Sequence, residues 1–406
     1  MSARIPAGFG RDGAGRLLVG GRPVEDWVAD AGDTPLFLYD SALLTARVAR
    51  FRAAMPEGLG LHYAMKANPH AGLLAHMAQL VDGFDIASAG ELARALEAGM
   101  RADHISFAGP GKRDRELQVA IAAGVQLNVE SAGELARAGA IATRLGRPAR
   151  VALRVNPPFA LKGSGMKMGG AASPFGVDAA DAVPLIRAMQ APPFRFEGLH
   201  LFAGSQNLSV EALLTSQRET VALAASLVAE AGVSPGLVNL GGGFGVPYFP
   251  GDAELDVDAL GKGLADILAS RPAALHGSRF ALELGRWLVA EAGVYLCRVV
   301  DRKRSGGELF LVTDGGLHHQ LAATGNFGTV IRRNYPVTNA SRDGGPLETA
   351  SVVGCLCTPL DRLADKADLP VGDVGDLIAL FMAGAYGRSA SPEAFLGHPP
   401  ALELLV

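Results

Sequence analysis

The chain is organised by a repeat of type rather than of sequence. A short apolar run ends in Gly, Asn, Ser or a charged residue, and a helix-like stretch follows. The runs are LGLHYAM, ending at Lys66, GFDIAS at Ser88, HISFAG at Gly109 and VQLNVE at Glu130. RVALRVN ends at Asn156, FEGLHLFAG at Gly204, LVNL at glycines 241–243 and RFALEL at Gly285. Residues 70–80, 90–99, 113–123, 132–146, 179–190, 209–231 and 256–270 carry apolar residues at three- and four-residue spacing, which predicts helices. Two of these segments, ELARALEAG and ELARAGAIATRLG, follow S-A-G, with Ser placed to cap the helix. Eight strands alternating with helices over about 225 residues is the arithmetic of a closed parallel (β/α)8 barrel of TIM type. An open doubly wound sheet is the alternative, but its glycine fingerprint follows the first strand. Here Gly241-Gly242-Gly243 follows the seventh, where barrels commonly hold phosphate.

The alternation stops after Arg286. WLVAEAGVYLCRVVDRK, GELFLVTDG, ETASVVGCLC and DLIALFMAGAY read as strands with few helices between them. The expected division is 1–44 as N-terminal strands (RLLV, TPLFLYD), 45–286 as the barrel, and 287–406 as a mainly β, barrel-like domain that takes in the N-terminal strands. At 49% hydrophobic residues the chain can fill two cores. A net charge of −4 gives no basic surface, so nucleic acid is not an expected partner. No apolar run is long enough for a membrane span, no secretory signal is visible, and the three cysteines make no disulfide framework. A cytoplasmic location is expected.

Barrel chemistry sits at the C-terminal ends of strands. Lys66, flanked by Ala, Met and Ala, reads as a poorly solvated amine suited to Schiff-base chemistry, or as a surface lysine. Gly242 and Gly243 let backbone amides approach a phosphate, or simply make a tight turn. Glu283, in ELGR, needs a cation: a protonated ring nitrogen or Arg286. His200 is a ring to stack on a cofactor, or a core histidine. Ser205 donates to phosphate, or caps a turn. Asp85 and Arg154 are further inward-facing charges, and Tyr386 lies among glycines that allow close approach of a ligand. Cys355 and Cys357 form C-x-C, but zinc needs two more ligands and His318-His319 would face opposite ways on a strand; no metal site is expected.

In order along nearly the whole chain, YAMKANP, FDIASAGEL, FAGPGK, HLFAGSQ, NLGGGFG, ELGR, CTPLD and GAYG resemble the fold type III pyridoxal phosphate decarboxylases, the diaminopimelate and ornithine decarboxylase family. The resemblance implies pyridoxal 5'-phosphate as cofactor, held by Lys66 as a Schiff base. It implies Glu283 at the pyridine nitrogen and His200 on the ring. Gly242, Gly243, Ser205, Arg286 and Tyr386 would hold the phosphate; Asp85, Arg154 and Gly285 complete the expected cofactor set. It also implies a head-to-tail homodimer in which Cys357 comes from the partner subunit and returns a proton after an amino acid loses its α-carboxylate. A carboxylate at the ring nitrogen favours decarboxylation over the racemisation of the related alanine racemases, which place Arg there.

Departures from the family bear on substrate. Ala322-Ala323 stand where diaminopimelate decarboxylases carry Arg-Pro, and Thr358 follows Cys357 where they carry Glu. KGSGMKMGGAASPFGVD, GLHHQ, RRNYPV and SPEAFLGHPPALELL resemble exosortase-associated decarboxylases and the butirosin enzyme that acts on a glutamyl group tethered to an acyl carrier protein. A tethered substrate would need no distal charge partner; the expected substrate is an amino acid, either free or carried by an acyl carrier protein. Arg332 and Arg333 read as a solvated pair or as a contact for phosphopantetheine. The alternatives are a true diaminopimelate decarboxylase, a racemase, and a non-catalytic pyridoxal-binding regulator.

Overall fold

The computed structural model describes residues 5–163, 166–167, 169–170, 172–325 and 333–406; Arg332 lies outside them. Contacts divide the chain into two compact units. One is Val48–Val246 with Glu254–Trp287; the other is Met1–Arg47 with Pro247–Ala253 and Leu288–Val406.

The first unit is a closed barrel. Its strands are β1 (Gly60–Ala64), β2 (Gly83–Ile86), β3 (Ile105–Phe107), β4 (Gln126–Val129), β5 (Ala149–Asn156), β6 (Phe194–Leu201), β7 (Leu237–Asn239) and β8 (Arg279–Leu284). Each pairs in parallel with its neighbours, and β8 returns to β1 with Ala281 opposite Gly60. Phe84, Phe107, Leu127, Val151, Leu153, Val238 and Leu282 are fully buried. Strands covered on both faces read as continuous apolar runs, which is why the eight runs stand out in the sequence.

Seven helices follow the first seven strands: α1 (Ala71–Met77), α2 (Ala89–Glu97), α3 (Asp114–Ala123), α4 (Ala132–Leu145), α5 (Ala179–Ala188), α6 (Val210–Ala231) and α7 (Val257–Ala269). Ser88 and Ser131 cap α2 and α4, accepting from the amides of Glu91 and Glu134 at 3.1 and 3.0 Å. Those glutamates reach back to the amides of Ala87 and Glu130, so both ends of each entry turn are satisfied. A further helix, Ser41–Ala54, precedes β1 and was not among the predicted segments. Its buried Leu44, Val48 and Phe51 keep helical spacing, but arginines 47, 50 and 52 break up the apolar run.

The second unit is mainly β. Its strands are β9 (Gly293–Ser305), β10 (Glu308–Thr313), β11 (Val337–Asn339), β12 (Leu347–Val353), β13 (Arg362–Pro370), β14 (Leu377–Phe381) and β15 (Leu402–Leu405). The sheet runs β11-β14-β9-β10-β12-β13. The N-terminal strand Leu36–Tyr39 pairs antiparallel with β9 and parallel with β15. A small sheet of Gly10–Arg11, Leu17–Val19 and Arg22–Pro23 joins through the Leu17 amide, which donates to the Ala340 carbonyl at 2.8 Å. The fold is thus a (β/α)8 barrel with a β domain that includes the N-terminal strands.

Candidate active site

Lys66 sits in a single 3-10 turn, Met65–Ala67, immediately after β1. The hydroxyl of Tyr63 donates to the Asn68 carbonyl at 2.9 Å and closes the turn. Met65 and Ala67 are buried, and the Lys66 side chain is 51% exposed. The tight turn buries the apolar flanks and leaves the amine beside the buried Glu283 carboxylate.

Glu283, on β8, is 6% exposed. Lys66 Nζ donates to its Oε1 at 3.4 Å, and His200 Nε2 lies 2.9 Å from Oε2. Burial alone would raise its pKa. The Lys66 charge, the hydrogen bond from His200 and the fields of His200 and Arg154 outweigh it and hold the carboxyl well below the usual carboxylate range. Glu283 is therefore a buried acceptor whose ionised form its surroundings favour. His200 meets Glu283 through its ring edge, and its Nδ1 is buried with no partner. Gly285 is what lets the two strand ends meet: a Cβ there would lie 3.0 Å from Ala67 Cβ and 3.1 Å from the Ala64 carbonyl.

The turn after β7 is built around missing side chains. A Cβ on Gly242 would run into the carbonyl oxygen of Glu283. Gly243 takes φ +95°, and its carbonyl accepts from the Asn207 amide at 2.9 Å. Asn239 Oδ1 accepts from the Gly241 amide at 2.9 Å, and the Gly241 carbonyl accepts from the Glu283 amide at 2.7 Å. The glycine turn and Glu283 are thus one rigid piece. Ser205, nearby in sequence to His200, has a buried hydroxyl with no partner. A buried unsatisfied hydroxyl is rare and points to an absent ligand oxygen. Arg286 opens the short helix Arg286–Val289 directly after β8 and is half-buried.

Two further expected site residues, Arg154 and Asp85, have buried partners, while Asp85 Oδ2 is buried with no hydrogen bond of its own. Arg154 Nη1 donates to Glu130 Oε1 at 2.9 Å, both side chains buried, so its direct task is Glu130. Glu130 also accepts from the amides of Gly109 and Gly176. Asp85 accepts from the Ser106 hydroxyl and lies 3.7 Å from His62 Nδ1. His62, Ser106 and Glu130 went unnoticed in the sequence. Strand alternation could have found His62, which lies two residues before Ala64 on β1 and opposite Glu283. Lys112, in FAGPGK, is 3% exposed and donates to Glu134 at 2.7 Å and to two backbone carbonyls.

In the second unit, Tyr386 holds a left-handed backbone (φ +53°) and is half-buried. Cys357 is exposed and Thr358 half-exposed. Ala322 and Ala323 are buried in a 3-10 turn, Leu321–Thr324.

A cation facing a buried carboxylate across the mouth of a barrel, beside a glycine turn with a spare hydroxyl, suits a flat ligand bearing a basic ring nitrogen and an anionic arm. Comparison with known proteins agrees. Residues 41–290 match the model of the pyridoxal-dependent decarboxylases, pyridoxal binding domain. The chain is 37% identical over 380 residues to the L-glutamyl-[BtrI acyl-carrier protein] decarboxylase of Niallia circulans, covering 92% of this chain and 89% of that one. It is 34% identical to the diaminopimelate decarboxylase of Neisseria meningitidis over 93% of this chain and 91% of the other. The solved diaminopimelate decarboxylase of M. jannaschii in complex with L-lysine superposes with a TM-score of 0.89 over 99% of this chain and 93% of that one, at 25% identity. With a barrel of this topology, an ionised glutamate facing a strand-end lysine, and relatives matched along nearly their whole length, the chain belongs to the fold type III pyridoxal-dependent decarboxylases.

Proposed function

We propose that this enzyme removes the α-carboxylate of an aminoacyl group carried on an acyl carrier protein, with pyridoxal 5'-phosphate bound between Lys66 and Glu283. The observation that carries the cofactor assignment is the Lys66–Glu283–His200 constellation beside the partnerless Ser205 hydroxyl. The cofactor supplies the electron sink for the pair left when CO2 departs. The protein's residues do the rest. Lys66 Nζ anchors the cofactor and yields to the substrate amine. Glu283, ionised by its surroundings, holds a proton at the ring nitrogen, and His200 fixes the carboxylate's orientation. The amides of Gly242 and Gly243, with Ser205, Arg286 and Tyr386, bind the phosphate. Arg154 acts one step back: paired with Glu130, it adds positive field to Glu283. Asp85 and Gly285 shape the same mouth.

Cys357 Sγ, exposed on the β unit, is proposed to return a proton to the substrate carbon from a second copy of the chain in a head-to-tail homodimer. The same division assigns 1–44 and 287–406 to that β domain and 45–286 to cofactor binding. No described helix is long and apolar enough to cross a membrane, and the proposed setting is the cytoplasm. Buried Ala322-Ala323 and the uncharged Thr358 leave no cation and no acid at the two positions where diaminopimelate decarboxylases carry them, which favours a tethered acyl group over a free diamino acid. The relative that acts on an L-glutamyl-carrier protein supports the same substrate class.

The test is CO2 release by the pyridoxal phosphate-loaded enzyme from glutamyl- and other aminoacyl-carrier proteins, set against the free amino acids and meso-diaminopimelate. Faster release from a carrier-bound substrate is expected. Faster release from meso-diaminopimelate, with lysine as product, would overturn the tethered reading. Exchange of the α-hydrogen with no CO2 would overturn decarboxylation itself.

A further inference from the structure

The β unit buries a histidine that nothing satisfies. His318 is fully buried, and both of its ring nitrogens lack a hydrogen-bond partner. An imidazole always presents one donor and one acceptor when neutral, so burying both unmet is a standing penalty that a native core avoids unless a ligand meets it. His318 is not alone. One ligand atom each from His318, Cys355 and His398 lie within 4.8 Å of one another, and Cys355 Sγ is 3.8 Å from either nitrogen of His398.

We propose that His318, Cys355 and His398 form a binding site for a zinc-class divalent cation, with a fourth position open to water or another ligand. Imidazole nitrogen and thiolate sulfur are the donors that zinc selects. Tetrahedral bonds of roughly 2.0–2.3 Å place ligand atoms about 3.3–3.7 Å apart, so the three groups need to draw in by only about an ångström. Binding would transfer the Cys355 thiol proton to solvent and leave a thiolate–metal bond; both histidines bind neutral.

The surroundings brace all three ligands. Asp361 accepts from the amides of Leu317 at 2.6 Å and Leu356 at 2.8 Å, the neighbours of His318 and Cys355, and so ties the two ligand loops to one carboxylate. Gly316 and Gly354 make room for it, since a Cβ on either would collide with the Asp361 carboxylate. His319 is held between the Tyr295 hydroxyl at 3.2 Å and the Pro399 carbonyl at 2.9 Å, which fixes the residue after His398. Support of ligand loops by outer hydrogen bonds is how metal sites hold their geometry. The site escapes a reading by spacing for two reasons. His318 and His319 lie in a turn rather than on a strand, so one is free to ligate while the other braces. The second imidazole comes from His398, eighty residues further on.

The whole enzyme, stripped with chelator and dialysed against zinc, should retain one equivalent per chain by elemental analysis. The cobalt-substituted enzyme should show visible d–d bands and a thiolate-to-cobalt charge-transfer band. That band should persist in Cys357→Ser and vanish in Cys355→Ser, and His398→Gln should weaken zinc at least ~10-fold. His398 and Cys355 are only partly buried, so these variants keep the test independent of whether His318→Ala folds. Failure of the wild-type enzyme to retain zinc, or loss of the band with Cys357 instead of Cys355, would overturn the site. Neither readout involves the pyridoxal cofactor or decarboxylation.

Discussion

The barrel and the β unit assemble their buried polar clusters from different parts of the chain. In the barrel, buried charges meet a counter-charge: Glu283 with half-exposed Lys66 and with His200, Arg154 with Glu130, Lys112 with Glu134. Lys66 and Glu283 stand at the ends of paired strands, as do Arg154 and Glu130, while Lys112 reaches Glu134 on α4 from the turn before α3. In the β unit, His318 is buried with nothing to meet it, and its companions Cys355 and His398 arrive from distant turns. A repetitive fold thus places chemistry by pairing, whereas an irregular one places it by convergence of loops. Spacing locates strand-end residues of the first kind and misses turn residues of the second.

That contrast can be broken or sharpened in order of expected effect. Lys66→Ala should lower decarboxylation by at least ~10³-fold, because the nucleophilic amine has no substitute. The change also removes a counter-charge from buried Glu283, so the melting temperature should fall, and circular dichroism of the variant checks that it is folded when activity is read. Glu283→Gln should cost roughly 10²–10³-fold in kcat by removing a preorganised charge at the ring nitrogen. Retained activity in either variant would detach the barrel's pairing from its chemistry.

Lys112→Met tests pairing as a stability device. Stranding Glu134 in the core should destabilise the enzyme by about 3–5 kcal/mol, and Lys112→Met with Glu134→Leu should recover much of it. Denaturant melts of the single and double variants measure this; equal losses in both would show that the pair is not a unit.

The smallest effect concerns His62. Burial lowers its pKa, but the nearby carboxylates of Asp85, Glu283 and Asp82 outweigh burial and raise it above the ordinary value. A histidine whose pKa is raised on folding stabilises the native state fully below its unfolded pKa, about 6.5, and loses that stabilisation as pH rises through the higher folded value. The stability gap between the wild-type enzyme and His62→Asn should therefore be larger at pH 6 than at pH 8. A gap that grows with pH would reverse the assignment.

The barrel was legible because its strands are buried on both faces and end abruptly. Lys66, Gly242-Gly243 and Glu283 could be located from those ends. The environment of each was not legible. The exposure of Lys66 depends on a 3-10 turn that apolar flanks do not announce, and the attachment of Arg154 to Glu130 depends on which neighbouring strand end carries an acid. Helix Ser41–Ala54 was hidden by its arginines. In the β unit, the strand assignment of Cys355 and His318-His319 misled, since all three lie outside strands.

The account rests on Lys66 being the lysine that holds the pyridoxal group opposite Glu283. Loading the enzyme with pyridoxal phosphate, reducing with borohydride and mapping the modified peptide tests this directly. A pyridoxyl group on the YAMKANP peptide, at Lys66 alone, is the predicted result. Modification of Lys112 or any other lysine in its place, or none at all, would contradict it.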